Sequence, residues 1–249
     1  MEKITSRRNA LCIHAKRLGA DRAYRNEHHQ FLCDGSKLLE EAVKCNTSIK
    51  YVFSAAPISL KIPECTEVYS VSSDILNSLS PLKNSQDVLF VCEKPQNQVP
   101  ECKTGTHLLL DNVQDPGNVG TIIRSADAFG VDSIILTGNS ADPYNPKAVR
   151  ASMGAIFRQR IYSVSLQDIT RSGAKLIGTS NERHHIDISK ANLRDSVIVL
   201  GNEGQGISKE ISELCDYMIT LPISPKCESL NVAVAASIIM WEAHKLCHH

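Results

Sequence analysis

The chain has 249 residues, of which 42% are hydrophobic and 22% charged, and its 27 Lys and Arg balance 27 Asp and Glu. This is the composition of an ordinary soluble globular protein. Zero net charge removes any whole-molecule electrostatic signature for nucleic acid, and no apolar run reaches the roughly 18 residues that a membrane helix needs.

The N-terminus, MEKITSRRNALCIHAKRLGADRAYR, is basic but lacks the apolar core of a signal peptide, so the cytoplasm is the expected compartment. Within it Lys3, Arg7, Arg8, Lys16, Arg17, Arg22 and Arg25 outnumber Glu2 and Asp21. Such a patch either grips phosphates or is a solvated helix face, and charge alone does not decide between them. Periodicity predicts helices near residues 7–18 and 35–45, and short strands at IKYVFSA, TEVYSVS and DVLFVCE. The polar stretch KPQNQVPECKTGT, residues 94–106, carries Pro95, Pro100 and Gly105 and reads as a linker. The resulting division is a small α/β domain over 1–98, a linker over 99–105 and a second domain over 106–249.

Beyond the linker, apolar strands alternate with helices. LLLD leads to a helix over 118–129 closed by Gly130, and SIILTG leads to a helix opened by Asn145-Pro146. RIYSV precedes a helix in SLQDITRSG, and KLIGTS precedes an irregular polar stretch. SVIVLG runs into GISKEISELC, and YMITLPI into SLNVAVAASIIMWEAHKL. About six continuous apolar strands separated by helices predict a parallel sheet covered on both faces. Ligands of such sheets bind beyond the carboxyl ends of the strands, so the turns after LLLD, KLIG, VIVL and ITLP are expected to line the site.

Nine cysteines stand at 12, 33, 45, 65, 92, 102, 215, 227 and 247 with no Cys-x-x-Cys spacing, so neither a zinc cluster nor a disulfide framework is expected. Most read as small buried groups kept reduced. His28-His29 and His184-His185 are adjacent pairs whose rings are expected to point apart, and no metal is assigned to them.

Three stretches carry candidate chemistry. In DNVQDPGNVGTIIR the turn places Asn118 near a helix start, where capping is the bland alternative, and Arg124 lies six residues on, able to reach back or to remain a surface arginine. In VIVLGNEGQGIS three glycines after a buried strand allow close backbone approach, with Glu203 as an acceptor. Their order is not that of a dinucleotide fingerprint or a phosphate-binding P-loop. In ITLPISPKCESLNVAVAASIIMWEA, Ser229 or Asn231 would cap a helix so apolar that it must be buried or pack on a partner.

NVQDPGNVGTIIRSADAFG, VLGNEGQGIS and LPISPKCESLNVAVAAS resemble, in order and spacing, the three signature motifs of the SpoU/TrmH family of SPOUT RNA 2'-O-ribose methyltransferases. NPKAVRASMGAIFR resembles that family's connecting segment, and residues 20–98 more weakly resemble its L30e-like RNA-binding domain through RNEHHQFLCDGSKLLEEAVKC. The resemblance implies a parallel sheet ending in a deep trefoil knot, a homodimer through the knot region, and S-adenosylmethionine as methyl donor without a metal. By position it implies that Gly201, Leu221 and Leu230 touch the donor, with Thr179, Leu200, Asn202 and Ile223 beside them. It implies a catalytic set of Arg124, Asn118, Glu203, Ser229 and Asn231. Segment 224–228, SPKCE, departs from the family's glycine-containing pattern, and no contact is assigned to it.

A ribose 2'-OH attacks only if its proton leaves, whereas a sulfonium donor needs only in-line approach. The family role of Arg124 as base conflicts with a guanidinium that stays protonated, so Arg124 is expected to bind the neighbouring phosphate and hold the developing alkoxide. Arg7, Arg8, Arg17, Arg22, Arg25 and Arg150 are the candidate phosphate contacts. The expected substrate is structured RNA, 23S ribosomal RNA ahead of transfer RNA. The rivals are a non-catalytic RNA-binding protein on the same fold and a nucleotide-dependent oxidoreductase, which the glycine order disfavours.

Overall fold

Leu108, Leu109 and Leu110 are consecutive, and none has exposed surface in the computed structural model, which describes residues 2–82, 87–96, 102–165, 167–169, 173–182 and 184–248. Burial of both faces marks a central strand covered by helices, and each such leucine contributes about 2 kcal/mol of apolar burial. The strand is β6 (Thr106–Asp111). Its sheet also holds β7 (Ser133–Thr137), β8 (Ile161–Ser163), β9 (Leu176–Ser180), β10 (Ile186–Asp187), β11 (Ser196–Leu200) and β12 (Tyr217–Thr220). All seven run parallel, in the order β10-β12-β9-β11-β6-β7-β8. The one strand beyond the six expected is β10, two residues inside the stretch that reads as irregular.

Three helices of the described residues start on side-chain caps, two of them at the predicted Asn145 and Asn231; the third starts two residues before the expected 118, because Asp115 and not Asn118 is its cap. Asp115 accepts from the backbone N–H of Gly117 and Asn118 at 2.6 and 3.1 Å and opens α5 (Pro116–Ala128), with Pro116 in its first turn. Asn145 accepts from Lys147 N–H at 2.9 Å and opens α6 (Pro146–Ala151). Asn231 accepts from Ala233 and Val234 N–H at 3.0 and 3.3 Å and opens the C-terminal helix Val232–His248. The helix expected in SLQDITRSG includes 166 and 170–172, which lie outside the described residues, as do 97–101 of the linker.

The chain forms two compact units, one of Met1–Gln96 with Asp142–Arg158, the other of Asn97–Ala141 with Gln159–His249. The first contains a five-stranded mixed sheet of β1 (Glu2–Lys3), β2 (Gln30–Asp34), β3 (Ile49–Ser54), β4 (Glu67–Ser70) and β5 (Val88–Glu93), ordered β1-β4-β3-β5-β2. The predicted helices are α1 (Ala10–Ala20) and α3 (Ser36–Lys44). Between and after them stand β2 and two seven-residue helices, α2 (Arg22–His28) and α4 (Ser73–Leu79), which are too short to establish a helical period.

The sequence assigns α6 to the second domain, yet its segment packs within the first unit. Arg25 Nε donates to Asp142 Oδ2 at 2.7 Å, the Phe31 ring lies 4.9 Å from that of Tyr144, and Arg158 Nη1 donates to Glu41 Oε2 at 2.8 Å. This corrects one expectation. Arg25 is 2% exposed and also donates to the Leu18 carbonyl at 2.7 Å, so it is no phosphate contact; a guanidinium committed to a buried carboxylate has no face left for RNA.

Candidate active site

The carboxyl ends of β9, β11 and β12 open into one cavity of about 570 Å3. Thr179 and Ser180 enter it from β9, Leu200 and Gly201 from β11, and Ile219 and Leu221 from β12. Leu230, Val232 and Ile239 add apolar wall, while Asn202, Glu203 and Ser229 add polar groups. The predicted neighbours of the donor therefore converge, with one difference: the half-buried Ile223 stands outside this wall.

The glycine-rich loop is held by its own backbone. Asn202 and Gly206 exchange two N–H···O bonds of 2.9 Å, and Asn202 Oδ1 accepts from Gly204 and Gln205 N–H at 2.9 and 3.1 Å. The fold is so tight at Gly201 that a Cβ there would stand 2.2 Å from the Gly206 carbonyl carbon and 2.3 Å from Ile207 N. Glycine at 201 is thus required by the loop's return path. Asn202 Nδ2 in turn donates to the Asn112 carbonyl at 2.9 Å, tying this loop to the one after β6.

Beneath the loops lies Asp111, which sequence reasoning missed. Its carboxylate is buried and accepts from Ser208 N–H at 2.7 Å, Asn112 Nδ2 at 2.8 Å and Thr137 Oγ1 at 3.3 Å. An acidic residue closing an apolar strand, as in LLLD, was the available signal. Asn112 is in the left-handed region (φ +56°), which asparagine tolerates better than most residues and which turns the chain from β6 toward α5.

Asn118, Glu203 and Asn231 form a chain of hydrogen bonds. Asn118 Nδ2 donates to Glu203 Oε1 at 2.7 Å, and Asn231 Nδ2 donates to Asn118 Oδ1 at 3.1 Å. Glu203 lines the large cavity; Asn118 and Asn231 line a second hollow of about 410 Å3 with Thr121, Val234, Ile238 and Trp241. Ser229 is exposed on the large cavity's wall, and its carbonyl accepts from Cys227 Sγ at 3.2 Å. Arg124 is exposed on α5, outside both walls, and makes no hydrogen bond or ion pair among the described residues.

At the rim, the expectation that adjacent histidines point apart fails. The rings of His184 and His185 are 4.0 Å apart, and both direct Nε2 toward Glu182 Oε2, at 3.4 and 3.3 Å. Burial pushes the thiols of Cys12, Cys33 and Cys102 up, and that of Cys215 up to about 11, while Cys65 and Cys227 are exposed. In the first unit Arg7 pairs with Asp74, the Arg17 guanidinium sits 3.8 Å from the centre of the Tyr24 ring, and Arg8, Arg22 and Arg150 are exposed.

A parallel α/β sheet with a partly apolar cavity at its carboxyl edge is the architecture of a protein that binds a small organic molecule. Residues 105–241 match the SpoU rRNA Methylase family, and residues 14–89 match the MRM3-like substrate binding domain. The chain belongs to the SpoU rRNA methylase family.

It is 31% identical to the 23S rRNA (guanosine(2553)-2'-O)-methyltransferase RlmP of Bacillus subtilis, over 97% of this chain and 98% of that one. It is 33% identical to the 23S rRNA (uridine(2479)-2'-O)-methyltransferase of Streptomyces viridochromogenes, over 72% of this chain and 67% of that one. The structure resembles the AdoMet-bound rRNA methyltransferase from Sinorhizobium meliloti at a TM-score of 0.85 and 27% identity, over 98% of both chains. It resembles the SpoU methyltransferase AviRb from Streptomyces viridochromogenes, solved with AdoMet, equally well: TM-score 0.85 and 27% identity over 97% of this chain and 99% of that one. Among the described residues no helix is long and apolar enough to cross a membrane.

Proposed function

We propose that this protein transfers a methyl group from S-adenosylmethionine to a ribose 2'-OH of 23S ribosomal RNA. One observation carries the reading: the Glu203–Asn118–Asn231 chain stands at the edge of the cavity whose wall collects Thr179, Leu200, Gly201, Leu221 and Leu230. The cavity suits the donor. Its volume lies within the usual ligand-site range of about 300–1,000 Å3; apolar side chains can face an adenine, and the tight turn at Gly201 presents bare backbone.

Bound donor supplies an electrophilic methyl group. The chain's residues position the hydroxyl and manage its proton. Glu203, held by Asn118, orients hydroxyls beside the cavity mouth; Ser229 adds a second polar group on that wall. Arg124, permanently charged, binds the phosphate next to the target and holds the developing alkoxide, while that phosphate or water takes the proton. Because Arg124 stands outside its own chain's cavity wall, it serves this role from one protomer to the other in a homodimer. The exposed apolar row Val234, Ile238 and Trp241, at 49%, 40% and 48%, supports burial of the C-terminal helix against a second copy. The implied trefoil knot belongs to this same proposal, as does a cytoplasmic location.

Ribosomal RNA is preferred to transfer RNA because likeness to the 23S enzymes runs through both units. The A. aeolicus TrmH/SpoU tRNA modifying enzyme, by contrast, covers 59% of this chain at a TM-score of 0.52. The experiment is calorimetry with S-adenosylmethionine followed by mass-spectrometric mapping of 2'-O-methyls on 23S and transfer RNA incubated with the full chain. A donor-dependent methyl on 23S is the expected result. No donor binding would return the chain to the non-catalytic RNA-binding class, and a methyl only on transfer RNA would move the substrate.

A further inference from the structure

The mechanism above gives the buried pair Arg25–Asp142 no task. We propose that Arg25 is a positioning residue for RNA: through Asp142 it seats segment Asp142–Arg158 on the N-terminal unit, so that α6 becomes part of that unit's RNA-gripping face. The inference rests on the functional reading just given.

Residues 143–158 contain three cations, Lys147, Arg150 and Arg158, and no acid. Lys147 and Arg150 are exposed and three positions apart, hence on one face of α6, while Pro146, Ala148 and Val149 are buried beneath them. A six-residue helix has no stable direction of its own and takes it from what it packs on. Here that is the first unit. Tyr144 and Phe157 lie against Phe31, Phe157 also approaches Phe90, and Arg158 pairs with Glu41.

Those contacts hold the segment down; the ion pair fixes how it lies. A buried ion pair contributes little stability that apolar residues would not, but a planar guanidinium sets direction. Arg25 uses Nε on Asp142 Oδ2 and Nη1 on the Leu18 carbonyl, while Asp142 Oδ1 accepts from Tyr144 N–H at 3.0 Å, three residues before α6 continues to Lys147. Arg25 also sits one turn after the exposed Arg22 on α2, so one helix carries both a surface cation and the anchor of α6.

The test pairs two variants of the full chain. Arg25→Leu with Asp142→Leu removes both buried charges together; Lys147→Ala with Arg150→Ala removes the surface cations. Each is compared with wild type for thermal unfolding, S-adenosylmethionine affinity by calorimetry, filter binding of a 23S transcript at several salt concentrations, and methyl-transfer kinetics. Both variants are expected to keep donor affinity and kcat within about threefold while KM for RNA rises roughly tenfold or more. The salt slope of binding should fall by about 1.5 as two phosphate contacts are lost. Combining the variants should add little, since one effect acts through the other. A Leu pair that folds and binds RNA with wild-type KM and salt slope would show the ion pair to be structural only, and an unchanged slope in the surface variant, which decides the matter if the Leu pair does not fold, would equally overturn the proposal. Wild type that neither binds nor methylates the transcript would instead sink the functional reading first.

Discussion

Asn118, in the first turn of α5, donates across 2.7 Å to Glu203 in the loop after β11, and the bond joins the walls of two neighbouring hollows. Removing the amide leaves the carboxylate without its orienting donor and Asn231 without its acceptor. A hydrogen bond to a charged group is worth about 1.5–3 kcal/mol, or roughly 10- to 150-fold. Asn118→Ala should lower kcat by that amount with donor affinity preserved; a rate within twofold of wild type would remove Asn118 from the machinery.

Gly201→Ala meets backbone rather than a side chain, since its Cβ would stand 2.2 Å from the Gly206 carbonyl carbon. Relief requires breaking the paired bonds between Asn202 and Gly206. Overpacking of this kind costs about 1–3 kcal/mol, so the melting temperature should drop and calorimetry should show no donor binding. Normal affinity would mean that the loop re-forms and that its tightness is unrelated to the donor.

Arg124→Ala should cost roughly 10²- to 10³-fold in kcat, as for loss of a charge-stabilising donor, with donor binding unaltered. If the arginine acts across a dimer, mixing inactive Arg124→Ala with inactive Gly201→Ala subunits should restore part of the activity. Val234→Asp with Trp241→Asp, which charges the exposed row of the C-terminal helix, should yield monomers by sedimentation and no turnover. Active monomers would refute the shared site.

Hydrogen bonds from Lys44 and then Arg158 hold the Glu41 carboxyl below its ordinary value of 4.5. A folded pKa below the unfolded one stabilises fully above pH 4.5 and fades as pH falls through the folded value. The pair is partly exposed, so screening limits it to at most about 1 kcal/mol. Glu41→Gln should therefore unfold slightly more easily at pH 7, and the two proteins should converge well below pH 4.5. A gap that widened in acid would exclude this linkage.

Cys227 is exposed, and its thiol donates to the Ser229 carbonyl on the cavity wall, whereas burial pushes Cys215 up to about 11. Thiolate is the reactive form. At pH 8, alkylation should reach Cys65 and Cys227 well before Cys215, and S-adenosylmethionine should slow labelling at Cys227 but not at Cys65. Equal labelling of both in its presence would place the donor away from residues 227–229.

Much of the second unit was legible along the chain, because what defines it is local. Continuous apolar runs such as LLLD and SVIVL announce strands buried on both faces. Asn145-Pro146 and the Ser229–Asn231 stretch announce helix starts, and glycines after a strand announce close backbone approach; at the first helix the chain signals the turn but not that Asp115, rather than Asn118, caps it. Those signals point to the carboxyl ends of the strands, and the cavity lies beyond β9, β11 and β12, with the turn after β6 outside its wall. They did not reveal that Asp111 anchors Ser208, that Glu203 is held by Asn118, or that Arg25 is buried against Asp142. These partners lie 97, 85 and 117 positions apart, so their pairing depends on how the sheets and segments pack. Charge counted along residues 1–25 marks Arg25 as one cation among seven; only packing makes it an internal strut, because desolvating a guanidinium is tolerable only where a carboxylate and a carbonyl already wait for it.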